Sequence, residues 1–403
     1  MRKSVFPLLT LLIFFFTGCS SAERSGNLGD FCGGATGNAR VAGLAWLAGS
    51  PTQANGLCSI DSDGKASLSF SLDPESRDPL LFRDNATSVQ ILVERFAGRQ
   101  ARPSRITWFS GTSEKLGQRG DWPRNVYGIN LLSASEAVVT GFDHAEIQIV
   151  NWQSNVFASP AALVSPVSQE VVIHPIQTLF SNDWFAAIDN GYDLVQYAAK
   201  ESRAFVVDKI KQRQPPVMDV VIADKLTGGV CLNAFQSLSV SPSSVLLSCN
   251  PQYFGAAAGN RVSLFLVELN SEGQISSREL VHFDGDEIQR IDLWGLDETS
   301  GKVFLGYKKT AINDFEGVVV QSGWLDLRTG SWLPEARFAG PLQHLANGNG
   351  TVVFCQADAT HCSKSQFAFI GGSSPTTDAS SVIRLELNPS LPFLSFAHEL
   401  RSK

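Results

Sequence analysis

Ser241-Pro242-Ser243-Ser244 followed by Val245-Leu246-Leu247-Ser248-Cys249 sets a polar turn directly before an almost unbroken apolar run. Strict alternation would mark a strand with one wet face, whereas a short apolar run bounded by turn residues marks a strand buried on both. The same pairing recurs. Ser133-Ala134-Ser135-Glu136 precedes Ala137-Val138-Val139-Thr140-Gly141, and Ser181-Asn182-Asp183 precedes Trp184-Phe185-Ala186-Ala187-Ile188. Asp297-Glu298-Thr299-Ser300-Gly301 leads to Val303-Phe304-Leu305-Gly306-Tyr307, and Asn347-Gly348-Asn349-Gly350 to Val352-Val353-Phe354-Cys355. The first residues of the five turns lie 48, 60, 56 and 50 positions apart.

Later strands in these units alternate, as in Val382-Ile383-Arg384-Leu385-Glu386-Leu387, Glu146-Ile147-Gln148-Ile149-Val150 and Trp324-Leu325-Asp326-Leu327. A buried strand followed by a half-wet one, at a period near fifty, is the pattern of a propeller blade, whose inner strands are covered by neighbouring blades. Five units are legible between about 126 and 396, and 39–125 has room for two more. The sequence thus predicts an all-β chain with a single β-propeller of about seven four-stranded blades over 39–396, followed by a tail, 397–403. Two β-sandwich domains, which also alternate and use tight turns, are the alternative. An open ring would expose strand edges, so the first strand, near 39–46, is expected to complete the last blade. Composition agrees: Gly 34, Pro 18, Phe 26 and only 2 Met suit short strands and tight turns.

The N-terminus carries a different message. Arg2 and Lys3 lead into an apolar run, Val5 to Phe16, which suits an export signal and is too short to cross a bilayer as a helix. Phe16-Thr17-Gly18-Cys19 resembles the bacterial lipobox. That resemblance implies removal of residues 1–18 and acylation of Cys19, with palmitate-type chains anchoring the protein to a membrane. Ser20 in place of the aspartate that retains such lipoproteins at the inner membrane implies the outer membrane, with the leaflet open. Residues 19–38, rich in Ser, Gly and Asn, read as a flexible tether. Ordinary signal cleavage near Ala22, discarding Cys19, is the alternative.

Loss of Arg2 and Lys3 leaves 30 basic against 39 acidic residues, a net charge of −9. Such a chain repels phosphate backbones, which argues against nucleic acid as a partner. Without Cys19 the cysteines number six, an even set for an oxidising compartment: Cys32, Cys58, Cys231, Cys249, Cys355 and Cys362. Six allow about 15 connectivities; the sequence-local pairs 32/58, 231/249 and 355/362 are the expected ones. Cys355, His361 and Cys362 offer three soft ligands where structural zinc takes four, so no metal is expected.

Asp326-Leu327-Arg328-Thr329-Gly330-Ser331-Trp332 resembles the turn of quinoprotein-type propeller repeats, which also build the propeller lipoprotein of the outer-membrane barrel-assembly machinery. Asp224-Lys225-Leu226-Thr227-Gly228 and Asp297-Glu298-Thr299-Ser300-Gly301 echo it. The resemblance implies the fold rather than a quinone, and no cofactor is expected. Ser59-Ile60-Asp61-Ser62-Asp63-Gly64 approaches a sialidase Asp-box with one residue too many, and reads as a solvated turn. Asp284-Gly285-Asp286-Glu287 reads as a polar loop. Neither a nucleophile elbow nor a phosphate-binding loop is present. The connection Gly111 to Asn125 holds Arg119, Asp121, Trp122 and Arg124, and Trp and Arg dominate binding hot spots. These four are the candidate binding residues; the alternative is that Trp122 pins its own loop. The expected function is that of a membrane-anchored, exported propeller binding an envelope protein or polymer without catalysis. The alternative is an enzyme acting on glycans or a small molecule, with acids converging at the propeller axis.

Overall fold

The computed structural model describes residues 32, 41–49, 56–84, 89–96, 102–110, 114–120, 125–133, 135–141, 146–151, 156–157, 161–166, 174–193, 198–208, 216–251, 261–285, 287–309, 317–345, 350–355, 366–370, 382–386 and 393–400. They build a seven-bladed β-propeller. From axis to rim, blade 1 holds Phe393–Phe396, Ala45–Ala48, Gly56–Ile60 and Ala66–Ser71, and blade 2 holds Arg77–Asp84, Val89–Arg95, Arg105–Ser110 and Glu114–Arg119. Blade 3 runs Val126–Ser133, Glu136–Gly141 and Glu146–Asn151, with Val156–Phe157 and Ala161–Ala162 sharing its rim. Blade 4 comprises Pro175–Ser181, Trp184–Asp189, Arg203–Val207 and Met218–Val221; blade 5, Ala234–Ser241, Ser244–Cys249, Arg261–Leu269 and Ile275–Asp284. Blade 6 comprises Arg290–Asp297, Lys302–Lys309, Val318–Asp326 and Trp332–Pro334; blade 7, Leu342–His344, Thr351–Cys355, Gln366–Ile370 and Val382–Glu386.

The recurring apolar runs are the second strands of blades 3 to 7, and in blades 4 to 6 the polar turns before them join first strand to second; Ala134 and Asn347 to Asn349, in the other two turns, lie outside the described residues. In blade 5, Ser244–Cys249 is buried along its whole length. Blade packs on blade through separate apolar clusters, each spanning one neighbouring pair. Leu57, Leu81, Leu92 and Phe109 join blades 1 and 2, and Phe304, Trp324, Leu342 and Ala368 join blades 6 and 7. Burying one such Leu or Phe side chain contributes about 1.5–3 kcal/mol. The ring closes between blades 7 and 1, where Phe367 meets Trp46 edge-on at 5.1 Å and stacks with Phe396 at 5.3 Å.

Three expectations are corrected. Closure runs the other way: the C-terminal strand Phe393–Phe396 supplies the innermost strand of the first blade, pairing antiparallel with Ala45–Ala48. Where a tail was expected, His398–Leu400 pairs parallel with Phe82–Asp84 of blade 2, inside the circle of innermost strands. The connection from Gly111 contains the rim strand of blade 2, Glu114–Arg119, where Leu116 is the one large apolar residue and is itself exposed, so no apolar alternation marks it. Among the described residues no helix is long and apolar enough to cross a membrane.

Candidate functional site

Four antiparallel strands return the chain to the face from which it started, so every innermost strand begins on one face, termed upper here. Second strands end on that face and third strands begin there. Residues at those positions ring the upper mouth of the axis.

In blade 2, Arg95 ends the second strand and is 7% exposed. Its Nε donates to the Asp78 carbonyl at 2.7 Å, Nη2 donates to the same oxygen, and Nη1 donates to Asn125 Oδ1 at 3.3 Å. The guanidinium lies 4.6 Å from the ring centre of Tyr127 in blade 3. Below it, His398 stands 5.5 Å from the Phe82 ring. His398 keeps contact with water. The protein enclosing its ring and the charge of Arg95 nonetheless hold its pKa down to about 4, so it is neutral at pH 7.

In blade 4, Asp189 ends the second strand. It accepts from the backbone N–H of His174 at 3.1 Å and of Gly191 at 3.2 Å. Burial pushes its pKa up to about 6, against the opposing pull of these N–H groups and of Arg203. A short hairpin, Tyr192–Asp193 with Ala198–Ala199, rises beyond it. Ser202 Oγ donates to the Asn190 carbonyl and accepts from Ala234 N–H, both at 2.9 Å, tying blade 4 to blade 5. Asn233 Nδ2 donates to the Asn250 carbonyl at 3.0 Å, and Asn250 Oδ1 accepts from Ile291 N–H at 3.2 Å, which carries the lacing into blade 6. The Cys231–Cys249 disulfide braces the same corner. In blade 6, Asp292 is held between Arg290 and Lys308, the latter at 2.8 Å.

A common device fixes the buried carboxylates. Arg105, Arg203 and Arg261 each open a third strand, in blades 2, 4 and 5, and each grips a carboxylate on an adjoining strand: Glu94, Asp219 and Glu279. The side chains of these acids are between 0% and 4% exposed. Acids held this way are structural anchors that tie neighbouring strands of a blade together. Among the described residues, no group of three or more His, Cys, Asp or Glu side chains is arranged to hold a metal.

Of the residues singled out in the sequence, Cys32 and Cys58 form a disulfide, as do Cys231 and Cys249. Cys355 is disulfide-bonded, and its expected partner Cys362 lies outside the described residues, as do Cys19, Asp121, Trp122 and Arg124. Arg119 ends the rim strand of blade 2, paired with Ile106 and remote from the axis. Asn125, the last residue of that connection, does reach the mouth through Arg95. The Ser59 to Gly64 stretch is a solvated turn, with Asp61 Oδ1 accepting from the backbone of Asp63 and Lys65. Asp326, Asp224 and Asp297 cap equivalent turns, each carbonyl accepting from a glycine N–H four residues on. Sequence reading missed Arg95, Asp189 and Lys308. One signal marks them all: a charge near the end of an apolar second strand, which topology delivers to the upper mouth.

No family model and no curated protein matches the sequence. Solved structures do. A quinonprotein alcohol dehydrogenase-like protein from Bacteroides thetaiotaomicron VPI-5482 superposes with a TM-score of 0.51 at 11% identity, covering 89% of this chain and 78% of that one. A protein from Lactobacillus plantarum gives 0.51 at 10% identity, covering 87% and 99%. Likeness at such identities establishes the propeller fold alone.

Proposed function

We propose that this chain is an exported lipoprotein, anchored through Cys19 to the outer membrane of a bacterial envelope, whose propeller binds an envelope protein or polymer without transforming it. The observation that carries the binding reading is the locking of Glu94 and Asp292, near the upper ends of their strands, into ion pairs, with Asp219 and Glu279 held likewise on the rim strands of blades 4 and 5. Rigid loops on a β scaffold suit docking. The lipobox-like Phe16-Thr17-Gly18-Cys19 supports the anchor.

Crosslinking in cells followed by purification of the full chain tests the partner, and Cys19→Ala tests the anchor. The expected result is a reproducible envelope partner, with the Cys19→Ala chain released from the membrane fraction. Unchanged fractionation of Cys19→Ala would remove the anchor from this reading. A second reading, an enzyme acting on a glycan or small molecule at the axis, is favoured by Asp189 alone, whose pKa near 6 suits proton transfer. Purified chain that turns over an envelope glycan, and stops doing so as Asp189→Asn, would establish it in place of the first.

A further inference from the structure

Arg95 is a buried cation whose partners among the described residues are all neutral. The Asp78 carbonyl, the Asn125 amide and the Tyr127 ring face surround it. Arg105, Arg203, Arg261, Arg290, Arg337 and Lys308 each reach a carboxylate. Removing a guanidinium from water without a counter-charge costs several kcal/mol. A second observation points to the same place. Asp78 and Asn125, the two residues that hold Arg95 by hydrogen bonds, have φ of 41° and 50°, the left-handed region that non-glycine residues seldom occupy. Asp and Asn are the side chains that adopt this conformation most readily, and here it fixes two acceptors around the guanidinium.

We propose that Arg95, with Tyr127 and Asn125 beside it, is the binding site for a carboxylate at the upper mouth of the axis. One buried cation balances one negative charge. A phosphate, carrying about −1.5 to −2 at neutral pH, would leave an excess negative charge in the same low dielectric, so the monoanion is the better match. Water reaches the mouth, since Asp78 and His398 are exposed and Asn125 and Tyr127 are partly so. With Nε and one N–H of each Nη engaged by Asp78 and Asn125, the guanidinium keeps one further N–H on each Nη, and these two donors can meet a carboxylate. This inference rests on the binding reading above and names the chemistry of its ligand. Because its test uses purified protein, it fails separately from the search for a cellular partner.

The experiment is calorimetric titration of the detergent-solubilised full chain with acetate, with a blocked tripeptide bearing a free C-terminal carboxylate, with the same peptide as its amide, and with inorganic phosphate. Saturable binding is expected for one or both carboxylates, with the amide and phosphate markedly weaker. Acetate alone binding would indicate a small acid, and the peptide acid binding better would indicate a chain terminus. Arg95→Gln should weaken binding about tenfold or more. Should that variant fail to fold, Arg95→Lys keeps the charge but loses the fork, and a loss of similar direction is expected. Equal binding of acid and amide, phosphate binding as tightly as the acids, no response from the wild type, or full affinity in either folded Arg95 variant would each overturn the proposal.

Discussion

Two glycines with similar backbones separate conformational strain from crowding. Gly273 has φ of +81°, and a Cβ there would lie 2.3 Å from the Trp184 indole across the interface between blades 4 and 5. Gly330 has φ of +72° with nothing within 4 Å of that position. Gly330→Ala should therefore cost only the left-handed backbone share, about 1 kcal/mol, whereas Gly273→Ala adds overpacking of about 1–3 kcal/mol. Urea midpoints of the two variants check the difference, and equal losses would mean that Trp184 yields without cost. Asp189 makes a prediction of opposite sign. Its folded pKa of about 6 stands above the ordinary 3.8, so folding binds its proton more tightly. The stabilisation is complete below the unfolded value and is lost as pH rises through about 6. Asp189→Asn should accordingly raise the unfolding free energy from urea titration at pH 7.5 by up to roughly 2–3 kcal/mol and bring little gain at pH 4. A gain that does not depend on pH would contradict this account.

At the scale of strands, the arginines that open third strands predict where charge matters. Glu94 is fully buried, and Arg105 is its counter-ion. Arg105→Met strands that carboxylate, at a cost of about 3–5 kcal/mol, and Glu94→Leu in the same chain should recover most of the loss. Lys200, 60% exposed, pairs with the partly buried Asp193, and with the cation in water Lys200→Ala should cost about 1 kcal/mol. Denaturation of the three variants measures this, and an Arg105→Met loss no larger than that of Lys200→Ala would sink the idea. These arginines also mark the limit of what the sequence discloses about elements. Second strands such as Val303-Phe304-Leu305-Gly306-Tyr307 are plain because burial on both faces admits few polar residues. The rim strand Glu114–Arg119 is wet on nearly all sides, so hydrophobicity cannot distinguish it from loop. Arg105 is unremarkable until pairing sets it against Glu94, and Arg95 looks like any charge ending a strand until topology brings it to the axis beside residues from blade 3 and the C-terminus.

For the whole molecule, the direction of ring closure depends on pairing between the two ends of the chain, a relation that local periodicity does not encode. The recurring unit predicts that the circle must close, because an open edge invites aggregation, but it does not say which end crosses over. The last strand does so twice: Phe393–Phe396 completes blade 1, and His398–Leu400 continues onto blade 2. One extended segment thus fastens three neighbours together, since Phe396 also stacks on Phe367 of blade 7. Phe396→Ala should leave a folded monomer weakened by about 3–5 kcal/mol, the usual loss for an aromatic removed from a packed core. Deleting residues 393–403 is a different perturbation, because it leaves the backbone of Ala45–Ala48 unpaired on one side and withdraws the partner of Phe82–Asp84. That chain should elute as dimers and larger species, and hydrogen exchange at Ala45–Ala48 and Phe82–Asp84 should quicken before the remaining blades respond. A monomeric truncated chain with unchanged exchange in both segments would show that the circle holds without its C-terminal fastening, and that contacts between blades alone keep it shut.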